Sequence, residues 1–484
     1  MTAFVWLLIL GLAAAVILDS DADWPTLLGS AFLLGSGIVA LILMGFSVTG
    51  RIWTLSSVSV VCGIVFVALA FPAFSRFRHR RKTASRSETR AFRAGAAAFD
   101  LATLVLIVAH GAFATAARIG AWDFWAIWGL KGRVFFERGS IDWAFLAHPY
   151  YAFSHPDYPL LVPLDDVFLA LHDGAWSDRS LAWMTTLFAA ALLLIVRGCL
   201  AEDLPSWLAA AGTFGLASIA LTQWVGMAEA PMMAFGTAAL LLLRRSSFRL
   251  GAVLLGFAAL TKNEGLSLLV AASAAMLAFP PIAADGMKKR WRSVLALWPA
   301  FAVASPWLVL RAMHALPTEL AAGPVGERAA RQFLQVFGIL FTTPLDRPWF
   351  WLAVLAAILL GKAWKSERFL LTAVALQLLF FVAAYVVTPY AVQWHIVNSW
   401  PRLLDQVAIA LGFLALILAG RFFWPVGGNL WTVVGESGTN GASDGGKRQR
   451  GSTSSGTQRT HGAQPREDRR EGAAQSPVEF PQDH

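Results

Sequence analysis

The sequence predicts an all-α, polytopic transmembrane bundle of about thirteen helices, with a long outer-face loop that carries amphipathic helices. Three observations predict it. Of the 484 residues 57% are hydrophobic and 14% charged, outside the range of an ordinary soluble domain. Apolar runs of about 20 residues recur along the chain, the length that crosses a bilayer as helix. The basic residues collect in short connections between those runs, eight Lys or Arg lying within 76–93 alone. By the positive-inside bias that connection is cytoplasmic, and it orients every crossing counted from it. The net charge of +9 therefore reads as topology signal and anionic-lipid contact, and no nucleic-acid partner is expected.

Taken in order, the apolar segments 3–18, 27–48 and 52–74 form an N-terminal unit of three helices over 1–75. Segment 3–18 lacks a preceding basic region and is followed by Asp19, Asp21 and Asp23 rather than a small-residue cleavage site, so removal as a signal peptide is not expected. After the basic loop 76–95, segments 96–117, 180–197, 206–224, 229–243, 250–261, 265–282, 293–313, 348–361, 369–388 and 404–423 build a core over 96–423. Counting crossings puts 118–179, 225–228, Lys262 with Glu264, 314–347 and 389–403 outside. It puts 197–205, Arg244, Arg245, Arg249, Lys288, Lys289, Arg290, Arg292, Lys362, Lys365 and Arg368 inside, so parity and charge agree. From 436 to 484 the chain has scarcely any large apolar residue, and its seven basic residues balance seven acidic ones. That stretch is expected to be a disordered cytoplasmic tail. Cys62 and Cys199 lie far apart in or beside apolar segments and read as core thiols, with no disulfide framework.

The polar groups able to do chemistry fall on the outer face. In loop 118–179, Trp122, Trp125 and Trp128 recur every three residues beside Phe124, Phe135 and Phe136, which suits a helix lying in the membrane interface. Asp123 sits among those indoles just beyond a membrane helix and is desolvated unless a cation or hydrogen-bond donor meets it. His148, His155, Asp157, Asp165 and Asp166 follow in a stretch broken by Pro149, Pro156, Pro159 and Pro163, which is expected to run extended. Their oxygen and imidazole groups either hold a divalent metal or make ordinary loop hydrogen bonds.

Glu229 opens a small-residue helix with Pro231 in its first turn; an acid there complements the helix dipole or faces Asp123 as a second carboxylate. Lys262 and Arg402 stand at outer helix ends, where basic residues are depleted and a cation beside hydrocarbon is costly. Arg402 is moreover expected to start a helix, where the dipole disfavours it. A bound phosphate resolves both conflicts, Arg offering paired donors and Lys a point charge. The alternative is a structural ion pair with Glu264 or Asp405.

Four elements together resemble the type C glycosyltransferase (GT-C) superfamily, near the bacterial dolichyl-phosphate-mannose-protein mannosyltransferase and aminoarabinose transferase relatives. These are Asp123 opening a long outer loop after a membrane helix, the acid Glu229 before a small apolar helix, a TK-x-x-G element (Thr261, Lys262, Gly265), and a late outer motif with Arg402. They span roughly 96–423. The chain departs from the family pattern in placing three helices before the first acidic loop, and in carrying Glu229 where Asp is commoner.

The resemblance implies transfer of a sugar, with inversion, from a polyprenyl-phosphate donor to a glycan, lipid or protein acceptor on the periplasmic face of a bacterial inner membrane. On that reading Asp123 and Glu229 are the catalytic acids, and Lys262, Arg402 and Lys131 hold the donor phosphate. His155, Asp157 and His395 position the acceptor or a divalent metal, the one cofactor in prospect. Trp125, Trp128 and Trp394 pack on sugar or isoprenoid. The reading from another class is a transporter or flippase of a lipid-linked or anionic substrate, which would place ionisable residues at mid-membrane and repeat one half of the fold in the other. The clustering of charge at one face favours the enzyme.

Overall fold

The computed structural model describes residues 2–79, 90–281, 287–318 and 324–423; the expected tail over 436–484 and the middle of the basic loop lie outside the described residues. Every regular element among the described residues is a helix. In chain order these are α1 (Thr2–Leu18), α2 (Trp24–Val48), α3 (Leu55–Arg78), α4 (Arg90–Ala116), a π-helical segment (Phe124–Trp128), α5 (Gly129–Arg138), α6 (Trp143–Ala147), a 3-10 turn (Pro149–Ser154), α7 (Leu161–Asp173) and α8 (Asp178–Asp203). The second half holds α9 (Ser206–Ala220), α10 (Glu229–Arg244), α11 (Phe248–Thr261), α12 (Asn263–Ala278), α13 (Met287–Leu295), α14 (Trp298–Met313), α15 (Val325–Thr342), α16 (Pro348–Leu360), α17 (Ala363–Ser366), α18 (Arg368–Val386) and α19 (Val392–Phe423). Among the described residues six helices, α2, α3, α4, α8, α18 and α19, are long and apolar enough to cross a membrane, the α4 stretch counted from Phe92.

Local chemistry sets the boundaries. Asp23 caps α2 by accepting from the Thr26 amide at 2.9 Å, with Pro25 at the first turn, where its missing N–H is no loss. Thr54 and Ser57 form a reciprocal cap on α3. Residues 229–243 of α10 are all buried, so this helix is the axis of the bundle, packed by α8, α11 and α19. Both cysteines are free and buried.

Charge is sorted to the two ends of the bundle. At one end Arg244 Nη1 donates to Asp203 Oδ2 at 2.8 Å and Nε to Glu367 Oε2 at 2.7 Å, while Arg421 Nη2 reaches Glu367 Oε1 at 2.8 Å and Asp203 Oδ1 at 3.2 Å. This ring clasps the ends of α8, α10 and α19 to the start of α18. All four residues belong to connections that crossing parity puts on one side. Arg244→Ala leaves Glu367 nearly buried with two donors fewer, and is expected to destabilise the fold by about 3 kcal/mol, read as a drop in melting temperature in detergent.

Three expectations need correction. The apolar run 293–313 is not one helix: basic α13 ends at Leu295, and α14 begins at Trp298 with Pro299 at its first turn. Loop 389–403 is not a loop, because α19 runs unbroken from Val392 through Pro401; proline is tolerated inside membrane helices whose neighbours re-satisfy the freed carbonyl. Arg402 therefore lies inside a helix rather than at its start, and the dipole conflict expected for it does not arise. The Pro-rich stretch is not extended, since Pro149 starts a 3-10 turn and Pro163 falls in the first turn of α7.

Candidate functional site

At the bundle end opposite the Arg244 clasp, four residues from distant parts of the sequence meet. Asp123 stands immediately before the π-helical segment that follows α4, and Glu229 is the first residue of α10. Lys262 is the single extended residue (φ −156°, ψ 159°) between α11 and α12. This turn is tight because Gly265 lies against α11: a Cβ there would stand 1.9 Å from the Ala258 carbonyl oxygen, so only glycine lets the two helices close. Arg402 follows Pro401 in α19.

Arg402 Nη1 donates to Asp123 Oδ2 at 2.7 Å and lies 3.5 Å from Glu229 Oε1. Lys262 Nζ lies 3.1 Å from the same Glu229 oxygen and 2.9 Å from Glu264 Oε1. Glu229 thus bridges the two cations. The cluster is graded in depth: the Glu229 and Lys262 side chains are 2% and 8% exposed, whereas Asp123 and Arg402 are 23% and 27% exposed. Burial alone would lower the Lys262 pKa, but the Glu229 and Glu264 carboxylates override it and hold the ammonium above the ordinary lysine range. Within this four-residue cluster two buried atoms, Arg402 Nε and Glu229 Oε2, have no hydrogen-bond partner among the described residues. A donor and an acceptor left unsatisfied beside an accessible cation are what a polar ligand would complete.

The alternative ion pair of Arg402 with Asp405 is not formed. Asp405 instead accepts from Arg347 at 2.6 Å and Gln223 at 3.1 Å. Lys262 does pair with Glu264, but shares itself with Glu229.

The other candidates surround the cluster without joining it. Lys131 is fully buried, donates from Nζ to the His155 carbonyl at 2.5 Å, and lies 5.7 Å and 5.8 Å from the ring centroids of Trp128 and Tyr158. His155, in a left-handed conformation at φ 51°, stacks on Tyr158 at 4.7 Å, and Tyr158 stacks on Trp128 at 5.5 Å. Asp157 Oδ2 accepts from Asn263 and Thr318 at 3.1 Å each, with Arg311 at 3.7 Å, and so ties the outer loop to the start of α12 and the end of α14. His395 Nδ1 pairs with Thr388 Oγ1 at 2.7 Å. Among the described residues no three His, Cys, Asp or Glu side chains are gathered to hold a metal ion. The three tryptophans do not share a face either: Trp128 is buried while Trp122 and Trp125 are exposed, because the wider π-helical winding carries the three-residue spacing around the axis.

Sequence reasoning missed Asn263, Arg311 and Arg347, whose partners lie more than fifty positions away. It also missed that Asp165 and Asp166 are buried in α7. Burial pushes the Asp165 carboxyl up to about 7 against a hydrogen bond from Ser36, and pushes Asp166 well above the ordinary carboxylate range, with the nearby Asp165 and Asp178 charges adding to it. The apolar spacing of Leu161, Leu164, Phe168 and Leu171 was the available signal for that helix.

Burial lowers the Lys131 pKa to about 7, against the pull of Asp157. The unfolded chain therefore binds an extra proton between about 7 and the ordinary 10.5, so stability rises with pH across that window and the full cost of burying the ammonium is present below it. Lys131→Met is expected to raise the melting temperature, the gain growing as pH falls from 10 towards 7 by at most about 1.4 kcal/mol per pH unit. A gain that does not change with pH would contradict this account.

No protein-family model, curated protein or solved structure matches the chain.

Proposed function

We propose that the protein is a membrane glycosyltransferase of the GT-C type, crossing a bacterial inner membrane about thirteen times, with its site on the periplasmic face and its C-terminal tail in the cytoplasm. It moves a sugar from a polyprenyl-phosphate donor to a hydroxyl of a glycan, lipid or protein acceptor, with inversion. One observation carries the reading: Asp123, Glu229, Lys262 and Arg402, singled out from separate segments, form one ion-paired cluster in which Arg402 keeps an unpartnered Nε.

The mechanism follows from that pairing. The donor phosphate competes with Asp123 for Arg402, and the freed carboxylate becomes the general base. As the acceptor oxygen attacks the anomeric carbon, its proton passes to Asp123. The bond from that carbon to the phosphate oxygen breaks, and the lipid phosphate leaves with the electron pair, its charge met by Arg402 and, beneath it, Lys262. Glu229 holds both cations in place. A single displacement inverts the centre. Exposed Phe333, Leu334, Phe337 and Phe341 on α15, which packs on α18 and on α19, the helix that carries Arg402, offer an isoprenoid chain an apolar surface.

One feature favours the transporter reading: Asp165 and Asp166 are buried in α7, with Asp165 accepting from Ser36 inside the apolar helix α2, an enclosed carboxylate pair of the kind that carries protons or cations. Reconstitution into liposomes separates the two. Sugar transfer to an acceptor without net movement of lipid-linked donor between leaflets is expected. Translocation without transfer would overturn the proposal.

A further inference from the structure

α13 has a face that nothing among the described residues covers. Met287, Trp291 and Leu295, four residues apart and therefore in one row along the helix, are 61%, 52% and 65% exposed. Lys288 and Arg292 form the adjoining row and are also exposed. The nine residues MKKRWRSVL carry four basic residues and no acid. Arg290 is set apart from that row, since it is half-buried and its Nη1 donates to the Ala278 carbonyl at 2.9 Å, completing an open carbonyl at the end of α12.

Too short to span a bilayer and too charged to enter it, α13 has the composition of a helix that lies in the interface. An apolar row flanked by an all-basic row is complementary to the boundary of an anionic leaflet, acyl chains taking the Met, Trp and Leu side chains and headgroup phosphates the Lys and Arg. Its place supports this. α13 packs against α12, and the following α14 opens with exposed Trp298, a side chain suited to headgroup depth. By crossing parity this connection lies on the side opposite the Asp123 cluster.

We propose that α13 is an anionic-phospholipid binding helix, docked through Met287, Trp291 and Leu295 into the leaflet opposite the candidate site, with Lys288 and Arg292 gripping headgroup phosphates. This proposal does not depend on the enzymatic reading. It commits to the bilayer rather than to a soluble anion or a second protein.

The test uses the full chain in nanodiscs of phosphatidylcholine with and without phosphatidylglycerol, the retained lipids being counted by native mass spectrometry. The intact protein is expected to enrich phosphatidylglycerol. Lys288→Gln with Arg292→Gln is expected to lower that preference about thirtyfold, roughly fivefold or ~1 kcal/mol per charge, with an unchanged melting temperature in pure phosphatidylcholine. An unchanged preference in the variant, no preference in the intact protein, or loss of the phosphatidylglycerol enrichment when inorganic phosphate is added would each overturn the proposal. Should the double variant not fold, a nitroxide on Leu295→Cys decides, Cys62 and Cys199 being buried. Relaxation by oxygen above that by an aqueous nickel chelate supports a docked helix, and the reverse order, or protection from both by a second copy, overturns it.

Discussion

On the proposed function, Asp123→Asn is expected to lower sugar transfer by about two to four orders of magnitude, the contribution of a positioned general base. Asparagine is nearly isosteric, can still accept from Arg402, and sits at a partly exposed position, so the fold is expected to survive. The loss falls on kcat, because the proton is taken in the transition state and not on binding. Donor affinity should instead rise, since a neutral amide competes less strongly than a carboxylate for the guanidinium that receives the phosphate. A fall in kcat together with tighter donor binding is a signature that simple unfolding would not give. Equal losses in affinity and rate would mean that Asp123 only holds Arg402 in place.

The second large effect is on stability. Lys262→Met leaves Glu229 at the base of the cluster, 2% exposed, with Arg402 at 3.5 Å as its remaining cation, and is expected to destabilise the protein by about 3–5 kcal/mol. The cause is the buried carboxylate left with only the longer Arg402 contact, rather than the missing lysine. Glu229→Gln combined with Lys262→Met should therefore recover much of the lost melting temperature without restoring transfer. If the double variant is no more stable than Lys262→Met alone, the pair is not coupled in the way the 3.1 Å contact implies.

Much of the architecture was legible because a bilayer imposes a simple rule on sequence. Apolar length and basic connections mark helices and their ends, and each apolar run overlaps a helix, although the run 293–313 is divided between α13 and α14. What length could not reveal was continuity. Pro401 looks like a boundary, yet α19 passes through it, and Leu295 looks like mid-helix, yet the chain breaks after it. Both depend on what neighbouring helices supply to the freed backbone groups, which is tertiary information.

The site was legible residue by residue and illegible as a network. Asp123, Glu229, Lys262 and Arg402 each stood out as a charge at an energetically awkward position. Their pairing spans 279 positions between Asp123 and Arg402 and has no local signature. Asp405, one helical turn beyond Arg402, was one of two carboxylates offered as an alternative partner to a phosphate, but faces Arg347 instead. Lys131 carried no sign in sequence that it would be enclosed beside Trp128 and Tyr158, because that burial is made by the return of residues 155–158 onto α5.

The central claim is that Asp123 and Arg402 act on a lipid-phosphate sugar. The most direct test is transfer from a radiolabelled polyprenyl-phosphate sugar to membrane acceptors, comparing the intact protein with Asp123→Asn and Arg402→Ala at matched, folded levels. The account predicts transfer by the intact protein that both substitutions abolish, with donor binding lost only in Arg402→Ala. Undiminished transfer in either variant, or no transfer by the intact protein from any of several such donors, would contradict it.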